Sequence, residues 1–337
     1  MERVGFAMGY DRRMGVREMA AWAREAEERG YEIAFFSETN NLMRDGVTAM
    51  AAFALATRRI TLGFTQIVRL RSPVVMAQTL ATLDELSGGR MILAPGACTK
   101  AQAANHGLPD ADPPATLTEW VEVMRKILAG GRIKYHGQHV TLEDVGLKWT
   151  PPRPRVPFWI AAMSKTGLRL AARIGDGVLL NAVSSADYTR NAVRILREAV
   201  EEAGRDWDQF EVAQLINCSV ADTHEEAVDA IRWEVAYKFR PPFRQVGPRT
   251  RVGEPNLDPE VLPVLEEAYR RGGDEALARA VPTSWVEAFT ACGTPDEVRA
   301  RVEEYRAAGV RLPILRPAAE DQARRLLDLF APGEGAR

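Results

Sequence analysis

Between residues 71 and 96 apolar side chains first recur at helical spacing and then give way to a short continuous apolar run. Pro73 opens the helix, because a proline at the first helical position gives up no hydrogen bond. Val74, Ala77, Leu80, Ala81, Leu83 and Leu86 follow at helical spacing, and Gly88-Gly89 stops the helix. Residues 91–94, closed by Pro95-Gly96, then read as a buried strand. A helix that feeds a buried strand through a tight turn is one unit of a parallel α/β fold. The same switch recurs along the chain. Strands are predicted over 4–8, 33–36, 60–67, 158–161, 178–180, 211–220 and 311–315. Helices are predicted over 16–29, 47–56, 117–128, 166–174, 188–203, 225–236 and 296–308. Helix 16–29 turns Met19, Trp22, Ala23 and Ala26 to the core and ends at Gly30. About eight alternations point to an α/β fold of the (β/α)8 TIM-barrel type rather than a doubly wound sheet. No glycine fingerprint of the dinucleotide-binding kind follows the first strand.

Two segments interrupt the alternation. Residues 131–149 read as a hairpin turning near His136-Gly137. Residues 239–283 carry prolines at 241, 242, 248, 255, 259 and 263 and a helix around 264–271. That segment is too long for an ordinary barrel loop and reads as a lid or an interface element. With no linker and no repeat, the expected organisation is one barrel domain over 1–330, with these two insertions and a flexible tail at 331–337.

Composition narrows the class. Of 337 residues, 46% are hydrophobic and 27% charged, which suits a globular enzyme with an ample core. A net charge of −2 gives no electrostatic case for nucleic acid. Cys98, Cys218 and Cys292 are few, scattered and odd in number, which fits a reducing compartment better than a disulfide framework. No apolar run approaches the ~20 residues of a membrane span. The chain enters a strand almost at once, leaving no room for a signal peptide, so a cytoplasmic location is expected.

Reacting groups of such barrels stand on loops after the carboxyl ends of strands. Met163-Ser164-Lys165-Thr166-Gly167 is the best anion candidate there, lying between an apolar strand and a helix. First-turn N–H groups, two hydroxyls and one ammonium would converge on a phosphate; the plain alternative is a serine or threonine helix cap. Thr223 with Glu226, and Thr294 with Glu297, read as capping boxes rather than sites. His136 and His139 lack the neighbours a metal needs, and Cys98 reads as a small buried residue.

Several stretches carry a resemblance. Ser72-Pro73, then Ala81-Thr82-Leu83-Asp84-Glu85-Leu86-Ser87-Gly88-Gly89-Arg90, resembles a signature of the bacterial luciferase-like flavin and deazaflavin oxidoreductases. Residues 23–31, 56–63, 156–162 and 174–181 are similar to further segments of that superfamily. Within it, residues 287–297 and the proline-rich insertion look most like the methylenetetrahydromethanopterin reductases, which use the deazaflavin coenzyme F420. The resemblance implies a strand-three bulge behind the flavin ring at Thr65, Gln66 and Ile67. It places phosphate and ribityl contacts at Ala162, Met163, Ser164, Lys165, Thr166 and Gly167, with Asn181 and Ala182 beside them. Glu38 and Thr39 match the acid–histidine pair that many members set beside the ring, threonine standing for the histidine. Thr99 stands where deazaflavin dehydrogenases carry a glutamate, and Ala7 where the methanopterin reductases do. Glu38, Thr39 and Thr99 are the expected reaction-side residues. The implied activity is F420-dependent hydride exchange with a small organic substrate; the alternative is an FMN-dependent monooxygenase using reduced flavin and oxygen. A homodimer paired through the early helices is also implied.

Overall fold

The computed structural model describes residues 3–8, 14–38, 43–240, 254 and 256–332. In chain order the strands are β1 (Gly5–Ala7), β2 (Ile33–Phe36), β3 (Thr61–Ile67), β4 (Met91–Gly96), β5 (Ile133–His136) and β6 (Thr141–Val145). They continue with β7 (Trp159–Ala161), β8 (Gly177–Leu180), β9 (Glu211–Val220), β10 (Ala291–Gly293) and β11 (Leu312–Pro317). Eight of them close a parallel barrel in the order β1-β2-β3-β4-β7-β8-β9-β11, with β11 pairing back onto β1. β10 extends the far end of β9, pairing with Cys218–Val220. β5 and β6 form the expected antiparallel hairpin.

The helices are α1 (Val16–Glu28), α2 (Gly46–Ala56), α3 (Pro73–Ser87), α4 (Lys100–Asn105), α5 (Pro113–Leu128) and α6 (Lys165–Ile174). After them come α7 (Ala186–Glu202), α8 (His224–Ala236), α9 (Val261–Ala280), α10 (Thr283–Phe289), α11 (Pro295–Ala307) and α12 (Glu320–Leu329). Strand side chains alternate between two cores, as a period of two dictates. Phe6, Phe36, Phe64, Leu93, Ile160, Leu180 and Ile216 pack outward against the helices. Ala7, Ile33, Phe35, Ile92, Ala94, Leu179, Ala213, Leu215 and Ile314 fill the barrel. This inner cluster runs on without a break into Ile231, Val235, Leu265, Trp285 and Phe289 of α8–α10. Helices α8–α10 are therefore packed against the barrel's own interior.

The 71–96 signature is explained by structure. Asp84 is buried and accepts from the Met91 N–H at 3.1 Å and from the Arg153 guanidinium at 2.5 and 2.8 Å. It thereby pins α3 to the start of β4. Arg90 donates to Ser87 O, Thr57 Oγ1 and Ile60 O at 2.6–2.9 Å, tying the same turn to the end of α2 and the entry of β3. Gly88 and Gly89 both take positive φ (71° and 83°), where a Cβ is disfavoured.

Several elements differ from the expectation. α5 starts at Pro113 rather than at 117, because Asp112 caps it and proline suits its first turn. The short α4 occupies part of what reads as polar loop, with too few apolar residues to show a period. In the second insertion α9 spans Val261–Ala280, broken at Gly272 and Gly273, and α10 and β10 follow. α12 extends the chain beyond the last predicted strand. β3 pairs with β4 residue for residue from Leu62 to Ile67, without the register break that the implied bulge would make. The expected tail overlaps the described chain only at 331–332, and 333–337 lie outside it. No helix among the described residues is long and apolar enough to cross a membrane.

Candidate active site

The polar groups gather at the carboxyl ends of β2, β3, β4, β7 and β8, which are consecutive in the barrel. Ile67, Gly96 and Ala161 stand in register across β3, β4 and β7, so the loops after these strands share one rim.

After β7, Ala162 is buried and Ser164, Lys165 and Thr166 are exposed at the start of α6. Ser164 Oγ accepts from the Gly167 N–H at 3.1 Å, and Leu168 N–H returns to Ser164 O at 2.8 Å. The cap reading is therefore correct for Ser164. It uses only part of the helix end: among the described residues, the N–H groups of Lys165 and Thr166 have no protein acceptor, and Lys165 has no carboxylate partner. A first turn with open N–H groups and an adjoining ammonium is a place for an anion. A Cβ at Gly167 would meet Ala162 Cβ and Ser164 Oγ at 3.2 Å, so this loop is closely folded.

The neighbouring loop is bound to it. Tyr188 of α7 donates its hydroxyl to Met163 O at 2.6 Å, and the Asn181 N–H points to Met163 Sδ at 3.1 Å. Asn181 Oδ1 accepts from the N–H of the buried Ala182 at 2.8 Å. Val183 takes φ +60°, an unusual setting for a β-branched residue. Tyr305 donates to Ser184 O at 2.7 Å, and Glu254 of the second insertion accepts from Ser185 Oγ at 2.6 Å and from its N–H at 3.1 Å. The structure thus brings Met163, Asn181 and Ala182 together, as expected. It also adds Tyr188, Tyr305 and Glu254, aromatic and insertion residues whose role no local pattern announces.

After β2, Glu38 is half-buried, with Oε2 enclosed and without a hydrogen-bond partner among the described residues. Burial, reinforced by Asp45, raises its pKa to about 7, while Arg71 and the Gly46 N–H oppose the rise. Asp45 caps α2 through Thr48 N–H and Oγ1 at 2.9 and 2.8 Å and pairs with Arg71. Thr65 Oγ1 donates to Glu38 O at 3.3 Å, joining the ends of β2 and β3. Thr65 holds an alternating position that faces the barrel interior, whereas Ile67, at the end of the strand, packs against the outer core. Gln66 falls on the helix-facing side with Leu62 and Phe64; it is buried, and its Oε1 has no partner among the described residues. Thr99 caps α4 in a reciprocal box with Gln102, at 2.9 and 3.2 Å, on the rim after β4. Thr39 and the loop at 9–13 lie outside the described residues. Cys98 is buried, as expected. Both predicted capping boxes, Thr223 with Glu226 and Thr294 with Glu297, are formed.

The fold and its rim define the class: a (β/α)8-barrel enzyme with its polar groups on the C-terminal face of the strands. Residues 3–312 match the family model described as luciferase-like monooxygenase, and the chain belongs to that family of oxidoreductases. It is 29% identical over 295 residues to the 5,10-methylenetetrahydromethanopterin reductase of Archaeoglobus fulgidus, covering 87% of each chain. It is 27% identical over 324 residues to an F420-dependent glucose-6-phosphate dehydrogenase of Nakamurella multipartita, covering 92% of this chain and 89% of the relative. The solved coenzyme F420-dependent tetrahydromethanopterin reductase of Methanopyrus kandleri superposes with a TM-score of 0.85 at 26% identity, over 98% of this chain and 97% of that one.

Proposed function

We propose that the protein is an F420-dependent oxidoreductase that exchanges a hydride between the deazaflavin and a small organic substrate. The near-complete superposition on an F420-dependent reductase carries this reading, supported by similarity to a second F420 enzyme acting on a different substrate. The residues present fit such a cofactor. Ser164, Lys165 and Thr166 offer an exposed anion cradle for its phosphate, with Ala162, Met163, Gly167, Asn181 and Ala182 along the tail. Thr65, Gln66 and Ile67 back the ring. Glu38 Oε2 gives an enclosed polar atom beside it that lacks a hydrogen-bond partner among the described residues.

A bound deazaflavin supplies the hydride chemistry, and the protein supplies placement and electrostatics. Glu38, poised near neutrality, serves either as hydrogen-bond donor or as acceptor on the reaction side. Thr99 stands on the rim after β4, and Thr39 is the further reaction-side candidate. The runner-up is an FMN-dependent monooxygenase, favoured by the description of the matching family. Titrating the purified protein with F420 and with FMN, followed by absorbance and fluorescence, separates them. Saturable binding of F420 at least about tenfold tighter than FMN is expected. Tighter binding of FMN would move the assignment to the oxygenase.

A further inference from the structure

The barrel wall facing β3 carries polar side chains that the cofactor reading does not use. In the closed order, β9 lies four strands from β3 in either direction. Along β9, Val212, Ile216 and Cys218 pack in the outer core, while Ala213 and Leu215 pack in the inner core with Ile314 of β11. Carried one step further, the same alternation turns Asn217 and Ser219 of β9, and Arg316 of β11, toward the barrel interior. Arg316 and Asn217 are register partners, and Arg316 Nη2 donates to Asn217 Oδ1 at 2.5 Å. Exposure is 1% for Arg316, 1% for Asn217 and 0% for Ser219. Two polar atoms of this group, Asn217 Nδ2 and Ser219 Oγ, have no hydrogen-bond partner among the described residues. Buried donors left unmade are rare and unfavourable, so this wall is chemically incomplete.

Arg316 brings a guanidinium to this wall. Among the described residues Glu234 of α8 lies beside it, at 3.8 Å, and burial favours the neutral form of that carboxyl. Lys238, buried just beyond α8, adds a second positive charge near Glu234. In the pairing of β1 with β11, Ala7 follows Phe6, the partner of Leu315, which puts the small Ala7 side chain beside Arg316.

The geometry points to Asn217, Ser219 and Arg316 as a substrate-side subsite that takes the carboxylate of a small organic acid. The guanidinium and the Asn217 amide N–H groups would meet its two oxygens, and the Ser219 hydroxyl would complete the shell. A guanidinium beside an in-plane amide suits the planar two-oxygen end of a carboxylate. The assignment rests on the proposed cofactor reading in one respect: a ring backed by β3 turns its open face toward β9.

Propionate and its neutral isostere propionamide are the probes, titrated calorimetrically and by thermal shift into the full-length protein with and without F420. Propionate should bind at least about tenfold tighter than propionamide. Ser219→Ala should weaken propionate about threefold, and Arg316→Met should reduce it to the level of the amide. F420 affinity should hold in both variants. Equal binding of the two probes, no binding of either, or propionate affinity unchanged in both variants overturns the subsite. If Arg316→Met does not fold, Asn217→Asp decides: its added negative charge should abolish propionate binding, and unchanged binding overturns the proposal. Loss of the cofactor reading shows separately, as absence of F420 binding while the two probes are still distinguished.

Discussion

Replacing Lys165 and Ser164 one at a time separates an anion site from a bare helix cap. Ser164 Oγ holds the Gly167 N–H at 3.1 Å, and removing such a cap costs about 1 kcal/mol. In a chain of this size that corresponds to a fall of roughly 2 °C in Tm. Lys165 is exposed and has no carboxylate partner among the described residues, so Lys165→Ala should leave Tm unchanged. If the cradle holds the cofactor phosphate, the same substitution removes a charge-assisted contact. Exposure places its value near the lower end of the range, about 1.5 kcal/mol, or roughly tenfold in Kd. The loss should shrink in 1 M salt, where the screening length falls to about 3 Å. Ser164→Ala should weaken the cofactor less, because the Lys165 and Thr166 N–H groups remain. Fluorescence titration of F420 at low and high salt, with melting curves for both variants, reads all of these effects. Unchanged cofactor affinity in both variants would remove this loop from the site.

Other consequences follow from particular contacts. Asp84→Ala leaves the Arg153 guanidinium and the Met91 N–H without their buried acceptor, and should cost about 3–5 kcal/mol in chemical denaturation; a loss under 1 kcal/mol would contradict this account of the signature. Glu38, with a folded pKa of about 7 against 4.5 unfolded, favours its neutral form in the fold, so its contribution is complete below pH 4.5 and is lost as pH rises through 7. Glu38→Gln should therefore gain stability over the wild type across that window, by about 1–2 kcal/mol after allowance for partial exposure; a flat difference between pH 4 and 8 would count against a raised pKa. Leu55 of α2 and Val75 and Leu86 of α3 are 75%, 48% and 43% exposed, apolar positions on the helices through which a homodimer is expected to pair. Leu55→Asp with Val75→Asp should yield monomers in sedimentation, whereas a monomeric wild type would refute the pairing.

The barrel was legible because its strands are short apolar runs and its helices carry clear caps, as at Pro73, Thr223 and Thr294. What escaped was built from residues without period. α4 and β10 are too short to show one, and α9 is interrupted by Gly272-Gly273. At the site, Ser164 was readable because a cap and an anion cradle share one pattern. Glu38 could be placed, but the raised pKa depends on Asp45 and burial, which only the fold supplies. Tyr188, Tyr305 and Glu254 bind the tail loops from distant positions in the chain, through a hydroxyl or carboxylate that looks ordinary in sequence. Arg316 did leave a trace, as a lone charge within the apolar run Leu312–Pro317, whose meaning came only from its neighbours across β9.

The central claim is hydride exchange through the deazaflavin, and anaerobic turnover tests it most directly. Reduced F420 is mixed with the protein and a set of acceptors: methylenetetrahydromethanopterin, small ketones and small unsaturated or 2-oxo acids. Parallel reactions use reduced FMN with and without oxygen. Recovery of oxidised-deazaflavin fluorescence in the absence of oxygen, stoichiometric with reduced acceptor and diminished in Lys165→Ala, is the predicted result. Turnover confined to reduced FMN with oxygen, and inert F420 with every acceptor, would contradict it.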